Sequence, residues 1–208
     1  MIYGTGYIQS ELDGTEHQVD IDLFEVPKEI SYRDSMPPVE NQGYTSKCVC
    51  YSLAGILDWK VNRLDADSFT GSNHFDKDEL YSIRARKDLA GMQIKEALKY
   101  LKHHGLSSDK GNVTISQYAI VNSRSAEVMK RCLVAYGPIV IGLPVYNTSG
   151  FDFWNGAQFA GGHAVCIIGY NENGFLIRNS WGQNWGWAGH VILPFDDIDK
   201  ILEAWVVI

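Results

Sequence analysis

The stretch from Cys48 to about Leu64 constrains the chain most. Leu53, Ile56, Leu57, Val61 and Leu64 recur at helical spacing, and Val49, Tyr51, Ala54 and Trp59 widen that stripe. A helix apolar nearly all round has to run through the middle of a body. Before it stands a polar loop, Asn41-Gln42-Gly43-Tyr44-Thr45-Ser46-Lys47, and Cys48 falls where loop becomes helix. A helix start carries unpaired N–H groups and partial positive charge, so a thiol there ionises more easily. Thr45 or Ser46 is placed to cap the helix, and Lys47 adds a neighbouring charge. Gln42 can fold back and present its amide N–H beside the sulfur. A lone cysteine in such a place is ordinarily structural; the second half of the chain reverses that reading.

Residues 1–25 are polar, with weak alternation at Val19, Ile21 and Leu23, and read as an extension that forms an edge strand or a strap. Val26-Pro27 and Met36-Pro37-Pro38 punctuate an extended stretch. Beyond the central helix, residues 65–75 read as a loop. Asp76 to Glu79 signals a helix start. Ile94, Ala97, Leu98 and Leu101 predict another helix, closed by Gly105, and a third runs from Ser125 to Gly137-Pro138 with Met129, Cys132 and Leu133 inward. The character then changes. Residues 139–143, 163–170, 175–178, 190–193 and 204–208 read as strands, with Asn173-Gly174 as a tight turn. Helices followed by strands make an α+β fold. Residues 144–162 form a long loop, and long loops in compact domains tend to serve function.

A nucleophilic thiol needs a base, and the base needs an orienting group. His163 opens a strand directly after Gly161-Gly162, so its ring can face a cleft. Asn179 lies on the next strand, and a hairpin turning at Asn173-Gly174 brings it back toward His163. Taken singly, a histidine at a strand start is more often structural.

Composition narrows the partners. The net charge of −7 and the lack of a basic patch argue against nucleic acid, and no apolar run approaches the length of a membrane span. The start of the chain shows no basic and apolar leader pattern, and Cys48, Cys50, Cys132 and Cys166 read as reduced thiols. Both point to the cytoplasm or another reducing compartment. No metal or other cofactor is called for, and oligomeric state is left open.

Together these residues resemble the papain-like cysteine peptidases, over about residues 26–208 and in the same order. Asn41-Gln42-Gly43 and Cys48 are similar to the family's oxyanion glutamine and nucleophile. Gly162-His163-Ala164-Val165 resembles the stretch that carries its base, and Asn179-Ser180-Trp181-Gly182 its Asn-Ser-Trp-Gly motif. The histidine lies 115 residues and the asparagine 131 residues beyond the cysteine, against about 130–150 in the family; the short histidine gap implies trimmed loops. The resemblance implies a two-lobed papain-like fold, with a helical lobe at about 45–135, a β lobe at about 136–208 and the cleft between them. It implies a peptide or protein substrate and a Cys48–His163 thiolate–imidazolium pair. Asn179 would fix the imidazole, Trp181 would shield their hydrogen bond, and Gln42 with the Cys48 N–H would form the oxyanion hole. By position, Ala90, Gly91 and Met92 would line one side of the substrate cleft, and Gly142, Gly161 and Gly162 the other, in a roomy pocket with an apolar or aromatic preference. An acyl transferase or amidase on the same fold, or a silent peptide-binding module, is the alternative.

The sequence departs from the family pattern in three places. Thr45 replaces a cysteine that normally forms a disulfide, in accord with a reducing compartment. Val49 replaces a tryptophan beside the nucleophile. Only about 25 residues precede the mature-like start, which leads to the expectation that residues 1–25 are a structural extension and not an autoinhibitor.

Overall fold

The computed structural model describes residues 3–22, 24–64, 73–147 and 150–208. Leu23, the side chain of Leu64 and most of the expected loop at 65–75 lie outside the described residues. In chain order the elements are β1 (Tyr7–Ile8), β2 (Ile30–Ser31), α1 (Cys48–Leu64), α2 (Lys77–Ser82), β3 (Met92–Gln93), α3 (Ile94–His103), β4 (Leu106–Ser108), β5 (Gly111–Val113), β6 (Tyr118–Ile120), α4 (Ala126–Tyr136), β7 (Ile139–Val145), β8 (Gly161–Asn171), β9 (Gly174–Arg178), β10 (His190–Leu193) and β11 (Glu203–Val207).

The helices start where the sequence supplies caps. Asp76 accepts from the N–H groups of Asp78 and Glu79, and Ser125 accepts from that of Val128. Gln93 and Glu96 form a reciprocal capping box on α3. Along α1, Cys48, Val49, Cys50, Leu53, Ala54, Ile56, Leu57 and Trp59 are all buried. Each large side chain among them contributes about 1.5–3 kcal/mol through removal from water. α1 therefore forms the floor of one core, packed against the inner faces of β7 and β8.

The large sheet runs β10-β9-β8-β7-β11-β6, with β2 also paired to β8. The hairpin turn is one residue earlier than expected. Asn171 pairs with Gly174, so Glu172-Asn173 is the turn and Gly174 already belongs to β9. The lobe boundary at 135 also needs correction. β6 lies inside the expected helical lobe yet pairs with β11, and α4 buries Met129, Cys132 and Leu133 in the core on the far side of the sheet. The helical lobe is thus α1 to α3, and α4 covers the outer face of the sheet.

Candidate active site

Cys48 opens α1 and is fully buried. Its Sγ faces the backbone N–H groups of Ala164, Val49, Gly6 and Cys48 itself, so the sulfur lies against β8 at the residue after His163, and among the described residues no hydrogen bond joins it to the His163 ring. His163 is the third residue of β8. Its Nε2 lies 2.7 Å from Asn179 Oδ1, and the same oxygen accepts the Ser180 N–H at 2.7 Å. The backbone bond fixes the oxygen, not the amide nitrogen, toward the ring. The ring proton therefore sits on Nε2 and donates to Asn179, which leaves the lone pair on Nδ1. Among the described residues Nδ1 has no hydrogen-bond partner. Trp181 stacks on the imidazole at 4.5 Å and 18°, and Phe153 meets the ring edge-on. The Asn179–His163 bond is thereby shut off from water, which strengthens it.

Gln42 is held from both ends. Its Oε1 accepts the Ser180 hydroxyl at 2.6 Å, and its Nε2 donates to Thr45 O at 2.8 Å and Gly4 O at 3.2 Å. Gly4 is part of the unexpected occupant of the cleft. Residues 3–10 cross the site as a strap. Gly4 N–H donates to Gly43 O at 3.0 Å, Gly6 N–H to Gly162 O at 2.9 Å, and Met92 N–H to Gly6 O at 2.9 Å. β1 then runs parallel to β3, Tyr7 opposite Met92. Tyr3 stacks on the face of Trp181 at 4.9 Å and 9°, and Trp181 Nε1 donates to Gly4 O at 3.3 Å. The expected edge strand or strap is thus a strap at residues 3–10, and it lies across the site.

The strap also shows what the expected cleft residues touch. Gly91, at φ +105°, lets the Gly6 carbonyl approach so closely that a Cβ there would overlap it. A Cβ on Gly142 would enter the Tyr7 ring, one on Gly162 would enter the Tyr7 backbone, and one on Gly161 would press on Thr5. Met92 offers only its N–H; its side chain turns into the core, 3.4 Å from Cys50 Sγ. Ala90 is exposed. Lys47 does not assist the sulfur, because its ammonium is paired with Asp78. The Thr45 hydroxyl donates to Gln42 O at 2.7 Å and so tightens the loop.

Burial under the strap decides the charge state. Desolvation pushes the Cys48 thiol up to about 12, against the opposing pull of the surrounding N–H groups. It pushes His163 down to about 4 although Asn179 favours the charged ring. Burial thus disfavours the charged form of both groups.

Sequence reasoning missed Tyr3, Gly4, Tyr7 and Ser180, and with them Glu203, whose carboxylate accepts the Ser10 N–H at 3.1 Å, the Ser10 hydroxyl at 3.0 Å and the Trp205 indole N–H at 2.8 Å. The run Gly4-Thr5-Gly6-Tyr7 was a usable signal: two glycines flanking one residue and then an aromatic suit a backbone that lies flat in a groove. Among the described residues no group of three His, Cys, Asp or Glu is arranged to hold a metal ion, and no helix is long and apolar enough to cross a membrane.

Known proteins share this fold. The overall fold superposes on xylellain, a cysteine protease from Xylella fastidiosa, with a TM-score of 0.81 at 22% identity, covering 99% of this chain and 96% of that one. It also superposes on digestive procathepsin L2 from Tenebrio molitor, with a TM-score of 0.74 at 19% identity, covering 99% and 78%. Among curated proteins, Cysteine proteinase 3 of Entamoeba histolytica is 24% identical, over 89% of this chain and 68% of its own length. Cathepsin 7 of Rattus norvegicus is 24% identical over 82% and 62%, so the chain spans about two thirds of these relatives. A family model described as Papain family cysteine protease matches residues 79–197, more than half of the chain and including His163, Asn179 and Trp181. The chain therefore belongs to the papain family of cysteine proteases.

Proposed function

We propose that the chain is a cysteine-type endopeptidase that forms an acyl-enzyme on Cys48 and is held closed by its own residues 3–10. The observation that carries the chemistry is the bond from Ser180 N–H to Asn179 Oδ1, which fixes the His163 tautomer and leaves Nδ1 basic. With the strap out, water reaches the groove and the cost of charging the pair falls. The Cys48 proton passes to Nδ1 and the sulfur attacks a peptide carbonyl. The resulting oxyanion takes the Gln42 amide N–H that Gly4 O now occupies, together with the Cys48 N–H. The tetrahedral carbon collapses, the C–N bond breaks and the amine leaves with the proton from Nδ1. A water molecule then gives a proton to Nδ1 and its oxygen to the thioester carbon. The sulfur leaves, recovers the proton and releases the acid. The four thiols are all buried and unpaired, which supports a reducing compartment.

The test is labelling with an epoxide or vinyl-sulfone inhibitor after the strap is displaced, read by mass spectrometry beside cleavage of an unstructured protein. Modification at Cys48, lost in Cys48→Ala and weakened in His163→Ala along with cleavage, supports the reading. Products joined to an added amine instead of hydrolysed would favour an acyl transferase. Even labelling of all four thiols without cleavage would leave a silent peptide-binding module.

A further inference from the structure

The far end of α1 borders a cavity that the peptidase chemistry does not use. Cys48 opens the helix, and Lys60 lies about 18 Å further along its axis. There α1 meets the end of α4. Gly137 caps α4, and a Cβ on it would enter the Trp59 ring. Beside that contact the two helices part, and a cavity of about 600 Å³ opens between them, within the range of small-molecule sites. Leu57, Val61, Val113, Ile115, Val134 and Ile208 give it aliphatic walls. Two cations line it as well. Lys60 Nζ reaches the Tyr136 carbonyl at 3.4 Å, and Arg63 lies over the Trp59 ring at 5.1 Å and beside the Tyr32 hydroxyl. Among the described residues neither cation is in an ion pair, and no Asp or Glu lines the cavity. The Ile208 oxygen is engaged elsewhere, by the Ser116 N–H at 3.2 Å, the Ser116 hydroxyl at 2.7 Å and the Gln117 N–H at 3.0 Å. In a chain of net charge −7 this is a local reversal of sign. Burial and the neighbouring Arg63 both hold the Lys60 ammonium below its usual range. An anion set between the two cations would offset both effects, and an alkyl chain attached to it would suit the walls.

We propose that this cavity binds a free medium-chain fatty acid, with its alkyl chain against the aliphatic walls and its carboxylate on Lys60 and Arg63. The acid enters as a free molecule and not as part of a bilayer. A chain of net charge −7 is repelled by an anionic membrane surface, whereas a single carboxylate meets the two local cations. The site is separate from the groove at Cys48, so it stands or falls independently of the peptidase reading.

The experiment is calorimetry on the full chain with decanoate, kept below micelle-forming concentrations. One saturable site is expected. Decyltrimethylammonium, which has the same tail and the opposite charge, should bind about 10-fold more weakly or not at all. Lys60→Met keeps an apolar stem and removes the charge, and it should weaken decanoate about 10-fold, as the loss of a charge-assisted hydrogen bond does. Arg63→Met should cost less, because that residue is exposed to water. Val134→Trp fills the cavity from α4 and should abolish binding; Thr114→Trp blocks it from the exposed rim, where folding is not at stake. Sedimentation with phosphatidylglycerol vesicles should leave the chain in solution. No saturable binding, equal binding of the ammonium, or an affinity for decanoate that survives Lys60→Met or both tryptophan variants overturns the proposal. Pelleting with the vesicles that Lys60→Met abolishes would make a membrane the occupant and overturn it too.

Discussion

Gly6 is the point at which one methyl group decides between the closed and open forms. A Cβ at this position would overlap the carbonyl oxygen, carbonyl carbon and Cα of Ser46, all backbone atoms that cannot swing aside. Gly6→Ala must therefore lift the strap. Lifting it breaks the Gly6 N–H bond to Gly162 O and the Met92 N–H bond to Gly6 O, both 2.9 Å long. At about 1 kcal/mol net for each bond, the closed form loses about 2 kcal/mol, or about 30-fold in the ratio of closed to open. The assay is alkylation of Cys48 by iodoacetamide, kept slow relative to opening and read by mass spectrometry, with Leu12→Ala as an exposed control on the same segment. Modification should be about 30-fold faster in Gly6→Ala than in the parent, and unchanged in Leu12→Ala. The pH dependence should move as well. Burial raises the thiol to about 12 in the closed form, so thiolate is scarce at pH 7 and the parent's rate keeps climbing with pH. Hydration on opening lowers that value, and the variant should reach its plateau at lower pH. An unchanged rate in Gly6→Ala, or a profile that climbs as the parent's does, would refute the reasoning.

Asn179→Ala removes the acceptor that fixes the His163 proton on Nε2. In an opened chain kcat should fall about 10- to 100-fold with KM nearly constant, as steady-state hydrolysis would reveal; an unaltered kcat would remove the residue from its positioning role. Arg178→Ala withdraws the guanidinium that donates to Pro37 O at 2.7 Å and Pro38 O at 2.9 Å. Urea unfolding should show a loss of about 2–4 kcal/mol, since two shielded carbonyls lose their donors; a loss within experimental scatter would contradict this. His163 and His190 are both held down to about 4, His163 by burial and His190 by burial and then by Arg178 and Arg33. The unfolded chain binds protons from pH 6.5 downward and the folded one refuses them until about 4. Stability is therefore full above that window and falls as pH drops through it. Melting temperatures recorded from pH 7 to about pH 4.5 should decline steadily, and a flat series would speak against buried neutral rings.

The central helix was legible because its apolar faces leave no surface orientation open, and the helix starts because Asp76 and Ser125 are chemically specific caps. Cys48, His163 and Asn179 were named together because their motifs keep family order, and the structure joins the histidine to the asparagine. Their pairing geometry needed the β8–β9 register, which a bulge between Ile167 and Gly169 shifts; no local pattern announces a bulge. The strap escaped notice for a different reason. Of the hydrophobic side chains in residues 3–10 only Tyr7 is buried, and much of their hold comes from backbone bonds to Gly43, Met92 and Gly162 that no side-chain pattern encodes. Glu203 was hidden by its setting. A lone acidic residue at the start of a strand reads as solvent-facing, and only the β7–β11 pairing beside Gly142 and the bonds from Ser10 show it buried.

The Arg178 contacts have a mechanical consequence. The same short length of β9 and its sequel is stitched to the loop that carries Gln42: Gln42 N–H meets Ser180 O at 2.9 Å, Gly182 N–H meets Glu40 O at 3.0 Å, and Asn41 bridges to Trp181. Asn179, which holds the imidazole, and Gln42, proposed to meet the developing negative charge, therefore ride on one stiff plate. If the helical and sheet halves rock against each other as peptides come and go, these two partners travel together, and only the sulfur's distance from them changes.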